Sequence, residues 1–106
     1  MLNRRQQIRA WRDQERIKAR LAFPLPDEQL ATFFANVETQ LRAQRGCFHD
    51  TRHARAVLTS LACAPAIIDQ VLAWCAENGG FCDCEIVANT RQHWNECRTP
   101  HHRGPE

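Results

Sequence analysis

A chain of 106 residues that is 43% hydrophobic and 25% charged is one small domain with extensions, and that composition excludes global disorder. No apolar run approaches the ~20 residues that would span a bilayer. The net charge of +2 conceals an asymmetry: residues 1–21 carry seven Lys or Arg against two acids, whereas residues 22–106 carry seven against ten.

The N-terminal stretch is basic but has neither a continuous apolar segment nor a small-residue cleavage site, so we expect a cytoplasmic protein rather than a secreted one. In a reducing compartment thiols stay free. The six cysteines then read as metal ligands or buried apolar residues rather than as a disulfide framework.

Asn3 can cap a helix running to about Leu21 through an Ala/Arg/Gln/Lys-rich stretch that lacks Gly and Pro. Its apolar residues Ile8, Trp11 and Ile17 make no continuous stripe, which predicts a helix lying on the surface or extending away from the body. Phe23-Pro24-Leu25-Pro26 forces an extended connector, because the residue before each proline is pushed out of the α region. Pro26-Asp27-Glu28 opens a second helix, with Leu30, Phe33, Phe34, Val37 and Leu41 on one face and Gly46 as its stop. A third helix should begin near Asp50 or Thr51 and bury Ala54, Val57, Leu58 and Leu61. Pro65 opens a fourth, which buries Ile67, Ile68, Val71, Leu72 and Trp74 and ends at Gly79-Gly80.

Beyond that turn, Phe81-Cys82-Asp83-Cys84-Glu85-Ile86-Val87 alternates as a short strand or knuckle would. Residues 90–98 have the pattern of a further helical turn or two, and 99–106 that of a flexible tail. The expected fold is therefore mainly α, a small helical domain of four to five helices with a β-like or knuckle segment near residues 81–87. It divides into a basic helix or arm over 1–21, a compact zinc-binding domain over 22–98, and the tail.

Zinc prefers thiolate and imidazole, four to a closed structural site. Two clusters supply them: Cys47, His49 and His53 between the second and third helices, and Cys82 and Cys84 after the fourth. The preferred set is Cys47, His53, Cys82 and Cys84, with His49 as a replacement for His53 or a neighbour of the ligands. An ion held this way would staple a helical hairpin in a chain too short to bury a large core. A rival, local site would use Cys82, Cys84, His93 and Cys97, with His101 or His102 contributing. Cys63 and Cys75, set among apolar residues, read as small buried hydrophobes.

The segment from Trp74 through Gly79-Gly80-Phe81-Cys82-Asp83-Cys84-Glu85-Ile86-Val87-Ala88-Asn89 resembles the signature of a bacterial family known as domain of unknown function 2695. Leu25-Pro26-Asp27-Glu28-Gln29-Leu30 and Gly46-Cys47-Phe48-His49-Asp50-Thr51 resemble its other landmarks, so the likeness covers residues 22–90. The resemblance implies that Cys47, Cys82 and Cys84 belong together and leaves His93 and Cys97 outside. It implies no activity.

Three functions compete. The first is a non-catalytic, zinc-stabilised binding or regulatory module acting through macromolecular contacts, chiefly with protein. Phe33, Phe34 and Trp94 are candidates for its contact surface, although the two phenylalanines also fit a core. The second is nucleic-acid binding through Arg4, Arg5, Arg9, Arg12, Arg16, Lys18 and Arg20, whose competing explanation is a solvated basic helix. The third is a metal hydrolase with Asp83 or Glu85 as base, against which stands the absence of deaminase-type ligand spacing. An inhibitor of a host or defence complex carried by a mobile element fits the size but has no motif behind it.

Overall fold

The structure, a computed structural model, describes residues 3–44 and 46–98. The tail and its two histidines, His101 and His102, lie outside the described residues, as does Arg45. Helix α1 (Arg4–Leu21) begins with a capping box in which the Asn3 side chain accepts from Gln6 N–H and Gln6 returns a bond to the Asn3 backbone. None of its residues is buried. Its formation therefore rests on caps and intrinsic propensity, as the sparse apolar pattern predicts.

Helix α2 (Asp27–Ala43) follows the proline connector and buries Leu30, Phe33, Phe34 and Val37. It closes on Gly46, which sits at φ +113° and donates its N–H to Leu41 C=O at 2.7 Å. Helix α3 (Arg52–Ser60) buries Ala54, Val57 and Leu58, and α4 (Pro65–Glu77) buries Ile68, Val71, Trp74 and Cys75. Their side chains meet α2 in one core, where Phe34 packs against Trp74 and Trp94 with centroids 6.3 and 5.4 Å apart.

The segment after Gly80 departs from expectation. No strand occurs among the described residues; a single turn, α5 (Asp83–Glu85), runs through a π-helical turn (Ile86–Thr90) into α6 (Arg91–Cys97). The alternation across 81–87 is not the signature of a pleat. Asp83, Ile86 and Thr90 are the inward positions, three and four residues apart, and all are fully buried. Helix α6 is tied to α2 by Trp94 Nε1–H donating to Asp27 Oδ1 at 3.0 Å and by the Arg91–Glu38 ion pair at 2.9 Å.

Two glycines make this packing feasible. Gly79 adopts φ +82°, a left-handed conformation that costs most residues energy, and its C=O accepts from Asn89 Nδ2 at 2.9 Å. A Cβ on Gly80 would drive into the Thr90 hydroxyl and come within 2.8 Å of Ile86 Cγ1. The π turn thus lies directly against the end of α4, with Thr90 Oγ1 donating to Cys75 C=O at 3.2 Å.

Candidate metal centre

The fold brings Cys47, Cys82 and Cys84 together, their sulfurs all within 4.8 Å of one another. These three form a group that could hold a metal ion. Cys82 Sγ and Cys84 Sγ are 3.5 Å apart, and Cys47 Sγ accepts the His49 N–H at 3.2 Å.

Asp83 explains why the two cysteine segments meet. Its buried carboxylate accepts His53 N–H on one oxygen at 3.0 Å and Ala54 N–H on the other at 2.9 Å. Those are first-turn donors of α3, whose own Thr51 supplies no side-chain cap. A carboxylate at a helix N-terminus gains from hydrogen bonding and from the helix dipole together. Asp83 N–H also donates to Asp50 C=O at 2.9 Å. The residue between the two cysteines is thus the clasp joining their segment to the start of α3, and it carries Cys82 and Cys84 to Cys47.

Within that clasp Cys82 is buried and Asp83 fully so, whereas Cys84 is exposed. Both carboxylates considered as hydrolytic bases are engaged. Asp83 caps α3, and Glu85 Oε1 accepts the Phe81 N–H at 3.2 Å.

The thiols are not equivalent. Burial opposes ionisation of Cys47, but the N–H groups of Cys84 and His49 and the neighbouring thiols of Cys82 and Cys84 outweigh it and lower its pKa. Cys82 moves the other way, pushed up by burial and, to a smaller extent, by its proximity to Cys47. The donors around Cys47 Sγ thus favour its thiolate, the form in which cysteine binds a metal.

The two candidate histidines fall in different settings, and neither ring belongs to the three-sulfur group. His49 is exposed at φ +62°. His53 is buried, and its Nε2 has no hydrogen-bond partner. Its ring packs against Phe48 at 5.7 Å, and the Arg52 guanidinium lies 4.2 Å from the Phe48 centroid. The rival pair, His93 and Cys97, lies on α6 with Nδ1 and Sγ 3.9 Å apart, beside α1 and apart from the cysteine cluster.

Phe33, Phe34 and Trp94 are buried, so they do not form a contact surface. The exposed aromatics nearest the cluster in sequence are Phe48 and Phe81, at 48% and 70% exposure, each adjacent to a cluster cysteine. Sequence reasoning passed over both. The available signal was an aromatic immediately beside a cluster cysteine in each segment. Among the described residues no helix is long and apolar enough to cross a membrane.

No curated protein and no solved structure matches the chain. The family described as Protein of unknown function (DUF2695) matches residues 33–89, a span that contains the three clustered cysteines, the Asp83 clasp, His53 and the glycine pair but neither α1 nor α6. With more than half its length matched, the chain belongs to that family.

Proposed function

We propose that this protein is a non-catalytic binding module whose zinc ion, held by Cys47, Cys82, Cys84 and His53, rigidifies a surface for a protein partner. The observation that carries this reading is the convergence of three sulfurs; in support, His53, whose backbone N–H is held by the Asp83 clasp between Cys82 and Cys84, has a buried Nε2 without a hydrogen-bond partner. An unsatisfied buried polar atom costs about 1–3 kcal/mol, and His53 as fourth donor would remove that cost and complete a Cys3His set. Such a set suits zinc, which favours thiolate and imidazole in a closed tetrahedron. Bound there, the metal contributes a cross-link rather than an activated water, since a closed site leaves no open position.

What the cross-link would present is the pair Phe48 and Phe81. Large exposed aromatics are favoured anchors at protein interfaces. Each is one residue from a proposed ligand, so metal loading would fix both together.

Metal analysis of protein purified without added zinc tests this directly. We expect one zinc per chain, lost in Cys47→Ser and Cys82→Ser, strongly weakened in His53→Ala, and retained in His49→Ala and Cys97→Ser. A metal-free protein that is fully folded would refute the staple. For the surface, a photo-crosslinking residue at position 81 should capture a discrete protein in the native host, with capture lost on Phe48→Ala. Unchanged capture after Phe48→Ala would remove the aromatic pair from the interface.

A further inference from the structure

Helix α1 contributes nothing to the cysteine cluster, and its surface is organised. Arg5, Arg9, Arg12, Arg16 and Arg20 fall within an arc of about 80° at 3.6 residues per turn and span roughly 22 Å along the axis. Arg5, Arg9, Arg12 and Arg16 are exposed and line one shallow groove with Ile8 and Asp13, whereas Arg20 at the far end is partly buried. Acids intrude little: Asp13 pairs weakly with Arg16 at 3.7 Å, and Glu15 with Lys18 at 3.4 Å.

Beside the stripe runs a second groove of about 520 Å³ between α1 and α6. Trp11, Arg12, Arg16 and Lys18 line it, with Glu15 and Glu96 also on its wall. Trp11 is 61% exposed, whereas Trp74 and Trp94 are buried. One indole therefore lies open beside cations shared with the stripe.

We propose that α1 binds single-stranded nucleic acid, with the arginine stripe following phosphates and Trp11 stacking on a base. A regular linear array of guanidiniums matches a polymer of regular negative charge better than it matches a compact acidic patch. A cationic groove combined with an accessible aromatic face is the arrangement that tolerates any base while holding a strand. The charge asymmetry adds to this, because residues 22–106 carry a net negative charge and would orient α1 toward the polyanion.

The test uses the full zinc-supplemented chain and a fluorescein-labelled 20-nucleotide strand, followed by anisotropy and by quenching of tryptophan fluorescence. Engagement of five phosphates predicts a fall in affinity of about 100-fold between 50 and 200 mM salt, from a slope of roughly −0.7 per phosphate on single strands. The triple variant Arg9→Gln, Arg12→Gln, Arg16→Gln should flatten that slope by about 2 and weaken binding at low salt at least tenfold. Trp11→Phe should abolish most of the quenching, with the salt slope unchanged. Unchanged helical circular dichroism and metal content in these variants would separate loss of the surface from failure of the zinc staple. A flat salt response, equal binding of polyglutamate or anionic vesicles, or equal duplex binding without Trp11 quenching would each overturn the proposal.

Discussion

Helix α1 and the junction between residues 46–53 and 80–90 are built on opposite plans. The helix takes its form from neighbours in sequence: a capping box at Asn3, a run of good helix formers, and no buried side chain in 18 residues. The junction has almost no local reason to form. It depends on Asp83 reaching the start of α3, on Thr90 reaching the end of α4, and on three sulfurs drawn from two distant segments. A segment held by its own propensity can change its surface without disturbing the body, whereas one held by distant partners fails when any of them is removed.

The sharpest way to break that contrast is at the clasp. Under the proposed zinc staple, Cys82→Ser or treatment with a chelator should give the largest effect, with loss of a cooperative thermal transition, because binding energy of a structural ion is also folding energy. Asp83→Ala comes next. It strands two buried N–H donors and should destabilise the native state by about 2–5 kcal/mol in chemical denaturation. Gly80→Ala should cost about 1–3 kcal/mol, since the new methyl group must displace Thr90 and Ile86. If either substitution left the melting curve unchanged, the junction would not depend on its distant partners.

Smaller effects sharpen the other side of the comparison. Trp11→Ala and Ile8→Ser, both on exposed positions of α1, should alter stability by no more than about 0.5 kcal/mol. A larger loss would mean that α1 is held by packing after all. Among the thiols, burial pushes Cys75 up to about 12 from an ordinary 9.0. Native Cys75 should therefore resist alkylation at neutral pH while the exposed Cys84 reacts in metal-free protein. The same shift makes stability decline as pH rises through the interval from about 9 to about 12, since only the unfolded chain ionises this thiol freely there.

How far the sequence reveals this molecule follows the same division. Asn3, Pro65, Gly46 and the glycine pair mark real helix ends because caps and breakers act over one turn of chain. The helical periodicity of α2 and α4 identifies their core faces for the same reason. Cys82-Asp83-Cys84 misleads, since its alternation reads as a strand or knuckle until the donors of α3, thirty residues away, are in view. Clustering of Cys47 with Cys82 and Cys84 was legible only through the family resemblance and the hairpin arrangement of α3 and α4. The burial of Trp94 depends on Asp27, on a different helix, accepting its indole N–H.

The clasp also has a consequence for the order in which the chain assembles. Asp83 closes a loop of thirty residues that contains all of α4, and that closure must be completed before Cys84 can stand beside Cys47. Local helices form within about a microsecond, but this contact must wait for the hairpin to dock. Loop-closure entropy rises only slowly with length, by about 0.6 kcal/mol for each doubling. Residues inserted at the turn between α3 and α4, near Ala62 with its φ of +61°, should therefore weaken the clasp by less than about 1 kcal/mol.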